Sequence, residues 1–396
     1  MPGPLHGYRI VDLTSMISGP SATMLLADQG AEVIKVENPR AGGDHTRLGA
    51  NRRGGFSASF LNNNRGKRSV ALDLKDPAAV EALLRVAATA DVFVQNFRPG
   101  VAERMGLGEA AVRAAAPGIV YVSISGFGEA GPYAQKPVYD PLVQALSGLA
   151  TVQAGSDEAP PRLVRTILPD KLTGTVAAQA ITAALLARAR GAPGQHVRLS
   201  MLDAVVAFLW GSDMGGQTFA EEAIPQQEAA SFLDLIYETA TGHISVAVQS
   251  DKEWEALARA LERPEWLADP RFATPALRQR HIDERLAMTQ EALRTRGAEE
   301  WLERLAAHGV PCAPVLTRTR LLSHPQVLAN GTVVEAAHPA AGRLRQARPA
   351  ARFSATPAEP GRRPAPSLGA DTREVLAEAG LSEAAIEALV HGQGAA

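Results

Sequence analysis

Cysteine is nearly missing from this sequence: Cys312 stands alone among 396 residues. No disulfide can form within the chain, and a zinc site built on several thiolates is excluded. An excess of either charge is also missing, because 40 Lys and Arg face 42 Asp and Glu, a net charge of −2. That balance supplies no global basic field, so no nucleic-acid partner is expected. No run of about 18 apolar residues occurs, and the N-terminus MPGPLHGYRIVDLT lacks a basic stretch followed by an apolar one. Neither a membrane span nor a secretory signal is therefore expected. The nine histidines are scattered, and neither a G-x-S-x-G elbow nor an H-E-x-x-H helix is present. Hydrolase and zinc-enzyme readings lose most of their weight. What is left, 46% hydrophobic and 21% charged residues, has the composition of an ordinary globular protein, expected to be soluble, cytoplasmic and built of two or three domains.

Two hydrophobic periods alternate through the first half. Tyr8 to Leu13, Glu32 to Val36, Ser69 to Leu74, Asp91 to Val94 and Ile119 to Ser125 read as strands. Between them, Ser18-Gly19-Pro20 opens a helical stretch that stops at Gly30, and Asp76-Pro77 is an N-cap followed by Pro at the first helical position,. This alternation predicts an α/β fold with a mostly parallel sheet. Asp140 to Ala150 and Lys171 to Arg190 are predicted helices, His196 to Leu199 a strand, and Met201 to Gly211 a buried helix. Near Gln217 to Ser231 the chain turns polar, and a domain junction is placed there. A smaller α+β domain is expected over 221–325, after a large domain over 1–220. Residues 326–396 then return to the large domain, with extended Pro- and Arg-rich sequence before a last helix, Leu381 to Val390.

Several motifs have two readings. Gly126 to Gly131 (GFGEAG) matches G-x-G-x-x-G after a strand, but Pro132 follows and no helix begins there. A glycine-rich loop at a strand end accounts for it better than a dinucleotide site. Asn64 to Arg68 (NRGKR) lacks the leading glycine and the Ser or Thr of a phosphate-binding loop. It is either a basic turn or, with Lys75, a cluster of cations for an anion. Cys312, in GVPCAPV, reads as a buried structural thiol,. Asp170, between Pro169 and a long helix, reads as an N-cap accepting a hydrogen bond near Thr173. On the pattern alone the cap is the better reading; the alternative is a nucleophile kept ionised by the helix dipole, with Gly174 leaving space for an acyl group,.

The segments PLHGYRIVDLT, SGPSATMLLADQGAEVIKVE, NRGKRSVALDLK, DVFVQNFRPGVAERMGLG, YVSISGFGEAGP, YDPLVQALSGL, LPDKLTG and GQHVRLSMLDA occur in order from Leu5 to about Val205. PSLGADTREVLAEAGLS follows near the C-terminus. Together they resemble family III CoA-transferases, which include formyl-CoA transferases, carnitine CoA-transferases and 2-methylacyl-CoA racemases. The resemblance implies a Rossmann-like large domain made from both chain ends, a smaller α+β domain, and an interlocked homodimer.

It also implies that Asp170 is the catalytic nucleophile. CoA would be bound near Ile17, Ser18, Leu72, Lys75, Asn96, Phe97, Arg98, Arg104 and Met105, with Tyr139 orienting the CoA or the acyl group and Asp140 supporting the site from behind. Phe97 could support the adenine, and Lys75, Arg98 and Arg104 could pair with phosphates. CoA would be a cosubstrate, with no permanently bound cofactor or metal. The partners would be an acyl-CoA, a small carboxylic acid and a second copy of the chain. Racemases of the family resemble one another in having a His-Asp pair where this chain has Tyr139-Asp140. A tyrosine, whose ordinary pKa is about 10, is a poor proton acceptor, so transfer is expected ahead of racemisation or of non-catalytic acyl-CoA binding. Asn38 stands where formyl-CoA transferases carry a basic residue, with Arg40 nearby, and no glycine run occurs between Ala220 and Gly242. The acids are expected to be small, such as succinate, with Arg47 and Arg165 as spare cations for a distal carboxylate.

Overall fold

A computed structural model describes residues 2–220, 235–359 and 363–391. The chain forms two compact units, Met1–Gln226 with Gly331–Ala396, and Gln227–Asn330. Of the polar stretch Gln217 to Ser231, in which the sequence places a domain junction, residues 221–231 lie outside the described residues.

The larger unit is built on six strands: β1 (Arg9–Leu13), β2 (Glu32–Glu37), β3 (Lys67–Ala71), β4 (Val92–Gln95), β5 (Val120–Ser125) and β6 (His196–Ser200). All neighbours are parallel, in the order β3-β2-β1-β4-β5-β6. The order reverses between β1 and β4, and in doubly wound sheets the crevice beyond the strand ends at such a reversal is where ligands bind. Val, Ile and Leu dominate because both faces are covered. Alternate residues feed two cores. Val11, Ile34, Val70, Phe93 and Tyr121 pack with Leu83 and Val86 of the Pro77–Ala88 helix, and with Val375, Leu376, Ile386 and Leu389 from the C-terminal helices. Ile10, Val33, Val94 and Val122 pack with Leu26 of the Ser18–Asp28 helix and with Ala177, Ile181 and Leu185 of the Leu168–Ala189 helix.

The strand predicted at 69–74 lies earlier, at Lys67–Ala71. It stops where Asp73 forms a turn, accepting from the Lys75 N–H through its side chain and from the Asp76 N–H through its carbonyl. Its outer edge is closed by the Asp371–Thr372 segment: Asp371 accepts from the Ser69 N–H at 2.8 Å and Thr372 from the Ala71 N–H at 3.0 Å. The helix predicted at 140–150 is two, Asp140–Leu146 and Leu149–Ala154, separated at Gly148, which adopts φ 84°. The Met201–Trp210 helix is not buried throughout, since Phe208 and Trp210 are 53% and 49% exposed.

The Leu168–Ala189 helix is long and apolar enough by length and composition to cross a membrane, which the run-length criterion did not detect. Its Thr173, Gly174, Ala177, Ile181 and Leu185 instead form a buried stripe. Gly174 lies so near the Ser18–Asp28 helix that a Cβ there would stand 2.1 Å from Ser21 Oγ and 2.8 Å from the Ser18 carbonyl oxygen. The space expected for an acyl group is thus filled by a neighbouring helix.

The smaller unit pairs Cys312–Pro314 and Ile236–Thr239 antiparallel to Gly242–Val246. Trp254, Trp266, Phe272 and Trp301 pack against this sheet. Cys312 is half-buried, and burial pushes its thiol pKa up, away from reactivity,.

Replacing Gly174 by Ala is a sign test of the helix contact. On an open helix the change stabilises by about 1 kcal/mol; here overpacking is expected to destabilise by about 1–3 kcal/mol, measured by urea unfolding.

Candidate active site

The crevice at the sheet's reversal is bounded by the loop that follows β1. Asn96, just past β4, holds Ser15 reciprocally: its Oδ1 accepts from the Ser15 N–H at 3.0 Å and its Nδ2 donates to the Ser15 carbonyl at 2.9 Å. The loop ends at Ile17, which precedes the Ser18–Asp28 helix without supplying a side-chain cap. The first-turn N–H groups of that helix are therefore oriented to receive negative charge.

Asp170 meets this helix end. The N–H and the hydroxyl of the buried Ser18 favour the charged form of its carboxylate. Asp170 is not the N-cap of its own helix, as one reading of the sequence had it; that helix begins at Leu168 and Ile167 provides no side-chain cap. A cap comes instead from a distant residue, since Asp140 Oδ2 accepts from the Asp170 N–H at 3.2 Å. Asp140 is buried, and its other oxygen accepts from Gln144 Nε2 at 2.7 Å. Gln144 also donates to the carbonyls of Val164 and Thr166 and accepts from the Val164 N–H. The Asp140–Leu146 helix thereby fixes the segment leading into Asp170. Gln144 was not singled out from the sequence; its place one turn after Asp140 was the available signal.

A carboxylate favoured by a helix dipole alone would have a low pKa. Asp170 instead is pushed up to about 6, chiefly by burial and then by the nearby Asp140 charge, against the Ser18 hydrogen bonds,. It stays ionised in most copies at pH 7, but as a partly desolvated and therefore more reactive anion.

Most of the basic cluster around β3 is already spoken for. Arg65 pairs with Asp28 at 2.6 Å, Lys67 with Asp12 at 2.9 Å, and Arg68 with Glu32 and Glu378. Arg47, expected as a spare cation, is buried in a two-point pair with Glu37 at 2.7 and 2.8 Å. Arg40 pairs with Asp73 at 2.7 Å, and Asn38 serves as a turn cap by accepting from the Arg40 N–H. Leu72 is fully buried in the core, so its side chain cannot line a pocket.

Lys75, Arg98 and Arg104 are exposed and form no ion pair with any described residue. Leu74, Phe97 and Met105 are half-buried at the margin of one core and supply an apolar floor. Arg104 folds back on the turn after Arg98, its Nη1 3.1 Å from where Gly100 would carry a Cβ. The glycine-rich loop also approaches this turn: Gln135 Nε2 donates to the Pro99 carbonyl at 3.2 Å, and Lys136 Nζ lies 3.4 Å over the Tyr133 ring. Lys136 is a further cation at this margin that the sequence reading passed over, because only the glycines of the loop were weighed. Tyr139 is 69% exposed and Arg165 is exposed.

Comparison with known proteins extends this picture. A family model for CoA-transferase family III matches residues 5–372. The chain is 34% identical over 383 residues to the succinyl-CoA:glutarate CoA-transferase of Homo sapiens, covering 95% of this chain and 86% of that one. It is 32% identical to a formyl-CoA:oxalate CoA-transferase of Escherichia coli O6:H1, covering 98% and 99% of the two chains. Among solved structures, Rv3272 from Mycobacterium tuberculosis superposes with a TM-score of 0.81 at 32% identity, over 94% of this chain and 98% of that chain. A CAIB/BAIF family protein from Brucella suis gives a TM-score of 0.82 at 28% identity, over 96% and 100%.

The raised pKa of Asp170 has two measurable consequences. Its folded-state value of about 6 lies above the 3.8 of an unfolded chain, so the folded protein holds the proton more tightly. Ionisation therefore costs stability above pH 6, and that cost disappears below the unfolded value. Asp170→Asn is expected to raise stability at pH 7 by up to about 3 kcal/mol, with little change at pH 3, as measured by urea unfolding at both pH values. The reactivity of the carboxylate should fall as pH drops through about 6, seen in single-turnover rates.

Proposed function

The chain belongs to CoA-transferase family III, and we propose that it moves CoA reversibly from an acyl-CoA to a carboxylic acid through covalent intermediates on Asp170. The observation that carries this reading is the Asp170 carboxylate, partly desolvated and facing the uncapped N-terminus of the Ser18–Asp28 helix at the reversal of the sheet. A carboxylate oxygen of Asp170 attacks the thioester carbonyl and the C–S bond breaks, giving a mixed anhydride and CoA thiolate. The thiolate attacks the aspartyl carbonyl, the donor acid leaves as its carboxylate, and an aspartyl–CoA thioester remains. The acceptor carboxylate attacks that carbonyl and expels the thiolate again. The thiolate then attacks the acyl carbonyl of the new anhydride, which frees Asp170 and forms the product thioester. Each attack places negative charge on a carbonyl oxygen, and the first-turn N–H groups of the Ser18 helix are suited to receive it.

Asp140 positions Asp170 in this scheme through the Asp170 N–H. Lys75, Arg98, Arg104 and Lys136 are proposed to meet the phosphates of CoA, with Phe97 and Met105 beneath the adenine. Ile17, Ser18, Asn96 and the backbone at Leu72 are proposed to line the path of the pantetheine arm. For the acids we propose small dicarboxylates of the succinate and glutarate class. Arg165, exposed and without an ion-pair partner among the described residues, precedes Asp170 by five positions and is the cation proposed for the distal carboxylate. A homodimer is also proposed, supported by Phe208, Trp210 and Phe219, which are 53%, 49% and 62% exposed,.

Incubation with succinyl-CoA, followed by denaturation and intact-mass measurement, is expected to reveal a CoA adduct that is absent in Asp170→Ala. Deuterium uptake beside the thioester without an adduct would overturn transfer in favour of racemisation. Arg165→Ala is expected to raise KM for glutarate by about tenfold or more and to leave monocarboxylate acceptors within about twofold, as steady-state assays would measure.

A further inference from the structure

The loop between β1 and the Ser18–Asp28 helix contains a residue in a costly conformation. Met16 has φ 70°, the left-handed region that unbranched side chains seldom occupy,. Its own side chain does not impose this: it is 38% exposed and belongs to none of the buried cores. The backbone bonds around it do. The Thr14 N–H donates to Asp12 Oδ1 at 2.9 Å, and the Thr14 carbonyl accepts from Lys35 Nζ at 2.9 Å. Ser15 is held at both backbone groups by Asn96. The Met16 N–H donates to Asp44 Oδ1 at 3.3 Å, and Asp44 Oδ2 lies 2.8 Å from the same Lys35 Nζ.

A single buried ion pair, Lys35–Asp44, thus grips the loop on both sides of Ser15, at the carbonyl of residue 14 and at the N–H of residue 16. Asp44 is itself fixed, because Oδ1 also accepts from the Thr46 N–H at 2.9 Å and from its hydroxyl at 2.8 Å. Two residues beyond Met16 lies Ser18, whose carbonyl packs against Gly174, one turn after Asp170 on the Leu168–Ala189 helix.

We propose that the Lys35–Asp44 pair is a clamp that forces Met16 into the left-handed conformation and so sets the Ser18 end of the helix beside Asp170. Lys35 and Asp44 are then positioning residues that act through the loop and never touch substrate. The inference rests on Asp170 being the nucleophile. Its consequence is specific: the clamp works by setting one backbone angle, so a residue that adopts that angle freely should make the clamp dispensable.

The test compares Asp44→Ala, the double variant Met16→Gly/Asp44→Ala, and Met16→Val in the full-length enzyme with succinyl-CoA and glutarate. Asp44→Ala is expected to lower kcat by about tenfold or more, with KM for the acyl-CoA within about twofold. Glycine takes φ > 0 without strain, so the double variant is expected to recover at least about threefold of that loss. Met16→Val sits on an exposed side chain and leaves the buried charges intact, and its β-branch resists the left-handed region. It is expected to lower kcat in the same way, and it keeps the proposal testable if Asp44→Ala does not fold. A folded Asp44→Ala with unchanged kcat, a double variant no faster than the single one, or an unaffected Met16→Val would each overturn the clamp. Wild-type enzyme without a CoA adduct by intact mass would overturn the nucleophile assignment instead; an adduct in wild type with no response in the variants would overturn the clamp alone.

Discussion

Two lysine ammonium groups with no access to water set the geometry of this protein. Lys35 and Lys67, on β2 and β3, are fully buried, and each must find every partner it needs within the fold. Lys67 does so with Asp12, Asn64 and the Pro20 carbonyl; Lys35 does so with Asp44 and the Thr14 carbonyl. Asp12 completes the set by also accepting from Thr14 and Thr23. Burial alone would raise the Asp12 pKa, but Lys67, Lys35 and these hydrogen bonds outweigh it and hold the carboxyl well below its ordinary range. For Lys67 burial wins, and its pKa is drawn down to about 8. Removing one member of such a set strands a charge away from water, at a cost of about 3–5 kcal/mol. These partners cluster at the point where β1 ends and the Ser18 helix begins, so the requirement to satisfy two buried cations also dictates the shape of the crevice.

The same economy of charge explains what could be read from the sequence. The βαβ alternation was legible because strands covered on both faces are runs of Val, Ile and Leu, and the Asp76-Pro77 start of a helix was legible because capping is local. The start of β3 was not, because Lys67 and Arg68 do not resemble strand residues until their partners are known. Those partners are Asp12, 55 positions away, and Glu378, 310 positions away. Arg47 looked like a free cation because its partner Glu37, at the end of β2, is met only when the turn that carries Arg47 folds back. Chemistry-bearing residues were easier to name than to orient. Asp170, Asp140 and Ser18 all appeared as candidates, but their arrangement depends on two helices meeting at Gly174 and on a cap contributed from 30 positions upstream.

Asp170 also illustrates how a fold sets reactivity with opposed forces. Burial and the Asp140 charge make its anion less comfortable, while Ser18 favours it. A carboxylate left in water would be a poor nucleophile, and one fully neutralised by a cation would be poorer still. The distance between these extremes is narrow, and it is spanned here by one hydroxyl, one N–H and one neighbouring carboxylate.

The closure of β3 by Asp371 and Thr372 bears on how the protein is made. These side chains occupy N–H groups that an outermost strand would otherwise offer to any passing chain,. On the ribosome, β3 emerges about 300 residues before its cover, and at the usual pace of synthesis that interval lasts tens of seconds. Through that time the nascent protein carries an open, hydrogen-bonding margin beside Arg68, which has Glu32 but not yet Glu378 as a partner. Attachment of a chaperone or premature pairing between neighbouring nascent chains would be most probable during that wait, and would end once the last helices dock.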